Sequence, residues 1–424
     1  MSVEIKDETR KHRLERLLDL AQAYKGWTRK ELAKALGRDP ANLVPASGNP
    51  KLDYVVDLAE VLDWPIGDVA EVLFTHAEIT TRSQSKGGQK DEFENFKDYH
   101  HALFEAQKLG EYSAILTLAV EAKQVAEEPD QRALAAHYEA LGWDGLGRYH
   151  RSLEASQDGL NEPISDIDLR FALETALDNA HYSLWHLAEA RATSGEIITW
   201  YRQNPASTST GKYAEAQAVY TRGHALRRIA GVSPCMTKLG ISRSRADLER
   251  ALRLWKELAV EYDDSCDGIG NICHAGIIEL DVMDEKRIAE DALAEICRGL
   301  ESVIEPNKMP IGNWLESYGW WCVFGCNIAL RHLTKQRDVQ HYMALFTNKA
   351  DEIANRLGNW SLRERVFTMQ FLGHQHFVGW AGRELPMTID SDDIRLIAGT
   401  MGRFPTFRRT GWKILNTAHV IKDK

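Results

Sequence analysis

The chain has 424 residues, 44% of them hydrophobic, so it is long enough to form more than one core. Its 62 acidic residues outnumber its 52 basic residues, for a formal net charge of −10. This excludes a protein that coats nucleic acid along its whole length, because such a protein would be basic. No apolar run approaches the roughly 18 residues of a membrane span, and the charged start lacks the apolar core of a secretory leader. We therefore expect a cytoplasmic protein without a membrane partner.

The first 78 residues have the apolar spacing of five short helices and the residue types that start and end helices. Leucines three and four positions apart mark the first helix, over residues 10–24. Thr28 and Glu31 have the spacing of a capping box, in which each side chain bonds an otherwise unpaired amide, so they begin the second helix. The remaining helix ends and starts follow in order: Gly26, Gly37, Asp39-Pro40, Leu52 and Trp64-Pro65. These helices predict a compact bundle.

Residues 28–62 resemble the helix-turn-helix of the XRE family, the group that contains Cro and lambda repressor. The resemblance rests on "TRKELAKALG" for the second helix, "DPANL" for the start of the third and "GNPKLDYVVDLAEVL" for the loop and fourth helix. The "GNPKL" form is similar to the version found in addiction-module antitoxins. The resemblance implies a DNA-binding domain over residues 1–78.

Double-stranded DNA is therefore an expected partner, and the contacts follow from the helix-turn-helix geometry. The third helix of such a motif enters the major groove, where Arg38 and Asn42 could contact guanine and adenine edges. The N-terminus of the second helix, at Thr28, would face a phosphate. Pro45 departs from the family pattern and breaks a long third helix, so backbone contacts should dominate. The candidate DNA-binding residues are Thr28, Arg29, Lys30, Lys34, Arg38, Asn42, Ser47 and Lys51.

The polar segment "ITTRSQSKGGQKD", residues 79–91, has no apolar period and predicts a flexible linker. After it the pattern is helical almost throughout. Gly is followed two residues later by Tyr and a helical run at Gly110, Gly147 and Gly211, and "GNW" opens two further helical runs at 312 and 358. Recurrence at this spacing is typical of stacked helical hairpins, with the small residue at a tight turn.

The first three of these units, at Gly110, Gly147 and Gly211, resemble tetratricopeptide repeats, and the resemblance fades after residue 260. It implies an all-α chain: a five-helix helix-turn-helix bundle followed by a tetratricopeptide-like α-solenoid over residues 92–424. That domain order resembles the peptide-sensing regulators of bacteria and phages, in which the repeats bind a peptide or protein ligand and form a homodimer. Asn side chains can satisfy the amides of a bound peptide, since each carries a donor and an acceptor. The candidate ligand-binding residues are Asn179, Asn271 and Asn327.

Enzymatic activity is not expected, because no phosphate-binding glycine loop, nucleophile elbow or zinc-protease motif occurs. The six cysteines lack the paired short spacings of a zinc site and predict buried packing positions, so no metal or cofactor is expected. The tail "RFPTFRRTGWK" (403–413) interleaves arginines with aromatic residues. It predicts either a nucleic-acid contact or, as we favour, a helix that closes the solenoid. An alternative for the whole chain is a protein-interaction scaffold whose helix-turn-helix no longer binds DNA.

Overall fold

The computed structural model describes residues 2–45, 50–73, 95–232, 237–305 and 310–420. Within these ranges the chain forms nineteen α-helices, a few 3-10 turns and two short strands, which confirms the predicted all-α class. None of the helices in these ranges is long and apolar enough to cross a membrane. The predicted linker 79–91 lies outside the described residues.

The chain divides into two compact units. The terminal unit comprises Met1–Lys90 and Ala381–Lys424, and the central unit comprises Asp91–Trp380. The chain therefore leaves the terminal unit, forms the central unit and then returns. The sequence pattern assigned residues 381–424 to the repeat domain, whereas the structure groups them with the N-terminal residues.

The terminal unit combines helices from both ends of the chain. They are α1 (Ser2–Lys25), α2 (Arg29–Ala35), α3 (Leu52–Leu62), α4 (Ile66–Leu73), α18 (Ser391–Arg403) and α19 (Arg408–Thr417). Strand β1 (Met387–Ile389) pairs in parallel with β2 (Ala418–Val420). Helix α18 packs on α1 and α3, and the core includes Leu14, Leu17, Leu58 and Phe404.

The helix starts and ends of the N-terminal part follow from local chemistry. Thr28 caps α2, and its side chain and Glu31 form the predicted capping box. The predicted third helix is a single 3-10 turn over Pro40–Asn42, capped by the Asp39 side chain, which accepts from the Ala41 amide at 2.8 Å. This element has a single turn, and Pro45 follows three residues after its end. It therefore lacks the several turns of a helix that enters the major groove.

The central unit is a series of thirteen helices within its described ranges. They are α5 (Phe96–Leu109), α6 (Tyr112–Val125), α7 (Pro129–Gly145), α8 (Tyr149–Leu160), α9 (Ile167–Ser183), α10 (Leu187–Gln203), α11 (Ser209–Val232), α12 (Thr237–Glu261), α13 (Cys266–Met283), α14 (Ala289–Gly299), α15 (Gly312–His332), α16 (Gln336–Leu357) and α17 (Trp360–Ala381).

Helices α5 to α13 each pack on the next, and the odd-numbered helices α5 to α15 also pack on one another. They therefore form a continuous inner layer. The turns at Gly110 and Gly147 have φ values of 70° and 69°, which glycine adopts without strain. The series also returns on itself, since the Ser361 hydroxyl donates to the Tyr149 hydroxyl at 2.7 Å across 212 positions of sequence.

Candidate functional site

A cavity of about 260 Å³ lies inside the central unit, among the inner-layer helices. Its wall is formed by helices that are far apart in sequence, mainly α7, α9, α11, α15 and α17. Most of its lining is polar or aromatic, which distinguishes it from the apolar packing between the other helices. A cavity between helices with aromatic side chains and convergent polar groups has features of a ligand site.

The repeated sequence motifs meet at this cavity. Tyr112 and Tyr149 come from the two Gly-x-Tyr turns, and Asn313, Asn359 and Trp360 come from the two Gly-Asn-Trp segments. These four segments begin helices α6, α8, α15 and α17. Their side chains have a second role that the repeat pattern did not indicate, as lining of the cavity.

Two carboxyl groups form the acidic part of the cavity. Asp144 on α7 accepts a hydrogen bond from the Asn179 side-chain amide at 2.8 Å. Burial raises the pKa of Asp144 to about 7, and the nearby Glu316 carboxylate also raises it, while the Asn179 bond opposes the shift. Glu316 on α15 accepts from the Trp320 indole nitrogen at 3.0 Å. These two residues are called the acidic pair below.

Arg228 on α11 lies where this cavity meets a smaller one. Its guanidinium carbon lies 3.8 Å from the centre of the Tyr182 ring and 4.6 Å from that of Trp185, and it donates to the Tyr182 carbonyl at 3.0 Å. Burial lowers the pKa of Arg228 to about 10. The guanidinium therefore remains positively charged near neutral pH.

The smaller cavity, of about 30 Å³, shares Arg228 and Trp320 with the first, so the two adjoin. Three more arginines line it, together with the buried Glu279 and Asn327. The four arginines, called the arginine cluster below, are Arg227, Arg228, Arg331 and Arg365.

Glu279 neutralises only part of the arginine cluster. It forms ion pairs with Arg227, at 2.5 Å, and with Arg331, at 3.4 Å. Arg365 lies 3.8 Å from Glu364. Four cations thus face two carboxylates, and this end of the paired cavities favours an anion.

The three predicted asparagines do not line a single cavity. Asn179 lies in the larger cavity and Asn327 in the smaller one, so two of them line the paired cavities. Asn271 instead donates to the Ser317 hydroxyl at 2.8 Å, and its carbonyl accepts from the Trp321 indole at 2.9 Å. These bonds tie α13 to α15, so the structure places Asn271 in a helix contact.

Sequence reasoning did not identify the charged residues of this site. Asp144, Glu316 and Arg228 occur within helical segments, and a charged residue in such a segment is usually exposed to solvent. The one indication in the sequence was the recurrence of Gly-x-Tyr and Gly-Asn-Trp, since these motifs mark the inner ends of the helices that converge here.

The predicted DNA surface has a less favourable charge pattern than its basic residues suggest. The Glu31 carboxylate accepts from the Thr28 amide and hydroxyl, each at 2.8 Å, so the capping box places a negative charge at the α2 N-terminus. A phosphate would meet this carboxylate. The predicted phosphate site at Thr28 is therefore opposed by the same residue that caps the helix.

Two of the remaining DNA-binding candidates contact other residues of the protein. Arg29 donates to the Pro40 carbonyl at 3.4 Å. Arg38 lies 3.8 Å from the Asp53 carboxylate and over the Tyr54 ring. Lys30, Lys34, Asn42 and Lys51 are exposed, as are Arg29 and Arg38, whereas Ser47 lies outside the described residues.

The basic aromatic tail is a packing element of the terminal unit. Arg408 is 8% exposed, forms an ion pair with Asp68 on α4 and lies over the Trp64 ring. Arg16 on α1 lies 4.2 Å from the centre of the Trp412 ring. The preferred interpretation is a closing helix whose arginines pair with acidic neighbours, and Arg408 forms such a pair. The surface that it closes is the N-terminal helices, whereas we expected the end of the repeats.

The cysteines occupy the packing positions that the sequence predicted. Cys266, Cys273, Cys322 and Cys326 are buried and free, and Cys297 is half-buried and free. Cys235 lies outside the described residues. Within the described ranges no group of three or more His, Cys, Asp or Glu side chains is arranged to hold a metal ion.

Comparison with known proteins gives no family for this chain. No protein-family model matches it, and no curated protein matches it either. The functional argument therefore depends on the geometry of the paired cavities and of the surface around α2.

Proposed function

We propose that the chain is a DNA-binding transcriptional regulator whose central unit senses a peptide or protein ligand and forms a homodimer. In this proposal the terminal unit contains an XRE-type helix-turn-helix and the central unit is a tetratricopeptide-like solenoid. The observation that carries the proposal is the polar, charged cavity formed by helices α7 to α17, because helix packing alone does not require such a cavity.

The helix arrangement supports a sensing role for the central unit. The odd-numbered helices form one layer and supply most of the cavity wall. In a helical-repeat protein the first helix of each hairpin forms the concave, ligand-facing wall. The position of Asn179 and Asn327 on this layer agrees with the use of asparagine amides to hold a peptide backbone.

The exposed lysines support a DNA contact made chiefly through the backbone. Lys30 and Lys34 project from α2, and Lys51 begins α3. Asn42 ends the 3-10 turn and is the best candidate for a base contact. Because one short turn offers few base contacts, a dimer would supply specificity through the spacing of two half-sites.

The chain connectivity suggests how ligand binding could change DNA binding. Helix α17 begins at Trp360, in the cavity wall, and ends at Ala381, where the chain returns to the terminal unit. A ligand that favours one position of α17 would then change the DNA affinity of the terminal unit. The coupling requires unequal affinity for two arrangements, and about 1–3 kcal/mol is typical.

A second candidate function is a protein-interaction scaffold that does not bind DNA. The 3-10 turn in place of a groove-entering helix favours it, as do the acidic side chains of Glu31, Asp39 and Asp53 among the basic ones. In that case the terminal unit would contact another protein.

The two candidates differ in a fluorescence anisotropy titration of the full chain with its own upstream DNA at two salt concentrations. The regulator should bind, and Lys30→Ala with Lys34→Ala should weaken binding to all sequences and reduce the salt slope by roughly 0.9 for each phosphate that a lysine no longer neutralises. Lys256→Ala with Lys335→Ala, at exposed positions of the central unit, is the matched control. Absence of binding at low salt would favour the scaffold. Light scattering of the same protein tests the homodimer.

A further inference from the structure

We infer that the paired cavities hold a short peptide by its two free termini, with its carboxylate at the arginine cluster and its amine at the acidic pair. This inference depends on the proposed sensing function and specifies its ligand. The supporting observation is the separation of charge between two adjoining cavities. Asp144 and Glu316 line the larger cavity, the arginine cluster lines the smaller one, and both cavities share Arg228 and Trp320.

The carboxylate end of the site is assigned from Arg228, because the other three members of the arginine cluster form ion pairs. Arg228 forms no ion pair with a carboxylate of the described residues, and its partners are the Tyr182 carbonyl and two aromatic rings. A guanidinium in such surroundings is stabilised by an anion that brings its own charge. Arginine binds a carboxylate with two parallel hydrogen bonds, which fits a peptide C-terminus.

The amine end follows from the acidic pair. Asp144 and Glu316 lie close enough for the Glu316 charge to raise the pKa of Asp144. A cation placed between them would relieve this repulsion and favour the charged form of both groups. A peptide N-terminus supplies such a cation together with three donors.

Three asparagines of the larger cavity, Asn179, Asn313 and Asn359, each have a side-chain group that their hydrogen bonds within the described residues do not use and that could bind the peptide backbone. Asn179 uses its amide nitrogen on Asp144, and Asn313 uses its amide nitrogen on the Ser265 carbonyl. Asn359 uses its carbonyl oxygen on the Leu362 amide. Two carbonyl oxygens and one amide nitrogen thus remain to bind backbone groups.

The size of the site restricts the ligand to a short peptide. A volume of about 260 Å³ lies below the usual range for sites of drug-sized ligands, roughly 300–1,000 Å³. An inorganic phosphate or a nucleotide would satisfy the arginine cluster but would leave the acidic pair without a cation. A zwitterion is the ligand that satisfies both ends.

The test uses the full chain and a synthetic mixture of tripeptides with free termini. Two further mixtures carry the same sequences with the N-terminus acetylated or the C-terminus amidated. The thermal unfolding midpoint should rise with the free mixture, and each cap should weaken apparent binding tenfold or more. Equal stabilisation by free and capped mixtures, or none by the free mixture, would overturn the inference.

Variants assign each terminus to its partner. Arg331→Gln, at a half-exposed position whose loss should leave the fold intact, should remove the difference between free and amidated peptides. Glu316→Gln, which keeps an acceptor for Trp320, should remove the difference between free and acetylated peptides. Arg337→Gln and Glu301→Gln change exposed residues elsewhere in the central unit and should preserve both differences. Unchanged discrimination in Arg331→Gln or Glu316→Gln would contradict the assigned end.

Two further measurements separate the possible failures. If inorganic phosphate alone stabilises the protein as much as the free tripeptides do, and Arg331→Gln abolishes this, the ligand is a phosphate compound and the inference is wrong. The DNA titration described above is independent of this test. DNA binding without tripeptide binding would reject the inference alone, whereas tripeptide binding without DNA binding would reject the regulator alone.

Discussion

Asp144 and Arg228 are both ionisable, half-buried groups of the paired cavities, yet burial acts on them differently. The pKa of Asp144 rises to about 7, which places its titration in the neutral range. The pKa of Arg228 falls only to about 10, so its charge persists. The two ends of the paired cavities therefore differ in their response to pH, and the acidic pair is the end that pH can alter.

Asp144→Asn should change how stability depends on pH. Between about pH 4 and pH 7 the folded chain keeps the Asp144 proton while the unfolded chain loses it. The wild-type free energy of unfolding therefore falls as pH rises through this window, and it is constant above it. Glu316 and Tyr112 face the same cavity, and Asn179 bonds the carboxyl group directly.

The asparagine variant lacks this titration. Relative to wild type, it should gain on the order of 1–2 kcal/mol between pH 4.5 and pH 8, a discounted value because a pKa unit is about 1.4 kcal/mol and water reaches the cavity. Urea unfolding at both pH values measures the difference. Asp158→Asn, at an exposed position of α8, should show no such gain. An equal pH dependence in wild type and Asp144→Asn would show that Asp144 is ionised throughout.

At the scale of the helices, the sequence pattern predicted where helices begin and end better than it predicted which helices pack against each other. Gly110 and Gly147 stand at turns as predicted, because positive φ and a following Tyr form a local signature. Gly211 has the same signature but lies in the first turn of α11, where its amide donates to the Thr208 hydroxyl at 3.0 Å. The Gly-x-Tyr pattern therefore does not distinguish a turn from a helix start. A Cβ at Gly211 would lie 2.7 Å from the Asp168 carboxylate on α9, so a contact with another helix also favours glycine there.

The site was less predictable than the fold because it depends on contacts between residues that are far apart in sequence. Helical spacing is a local property and appears directly in the sequence. The meeting of Tyr149 with Ser361 depends on the curvature accumulated over all the intervening helices. Asn179 could be chosen by its chemistry, whereas Arg331 and Arg365 become neighbours only after the helix series is complete.

The contact of α18 with the N-terminal helices depends on the small size of Gly402. A Cβ built at Gly402 would lie 2.3 Å from the Trp64 ring, and the Trp64 indole donates to the Ala398 carbonyl at 3.3 Å. Gly402→Ala should therefore destabilise the chain by about 1–3 kcal/mol, the usual cost of overpacking. Thermal unfolding measures this change.

Gly67→Ala in α4 is the control for that variant. A Cβ at Gly67 has no atom within 4 Å among the described residues, and alanine has the higher helix propensity. We expect Gly67→Ala to be neutral or to stabilise the terminal unit. If Gly402→Ala were equally neutral, the close packing of α18 on Trp64 would be wrong.

For the whole molecule, the main feature is that the terminal unit is formed by both ends of the chain. Its N-terminal helices share a core with residues that follow the central unit, including Ile397, Met401 and Phe404, all 1% exposed or less. The buried ion pair of Arg408 with Asp68 also joins the two segments. An N-terminal fragment would leave a charge and an apolar face without partners, and such losses commonly cost several kcal/mol.

Residues 1–90 alone should therefore be unstable, whereas residues 1–90 joined to 381–424 through a long Gly-Ser linker should fold. The fusion restores the Trp64 hydrogen bond to Ala398 and the packing of α18 on α1 and α3. Circular dichroism during urea unfolding should show a cooperative transition for the fusion and a broad or absent one for the fragment. The same fusion with Ile397→Asp and Met401→Asp keeps the length but breaks the apolar face, so it should behave like the fragment. A cooperative transition of equal midpoint in residues 1–90 alone would show that the N-terminal helices form an independent domain. The coupling proposed through α17 would then have to act on the orientation of that domain and not on its folding.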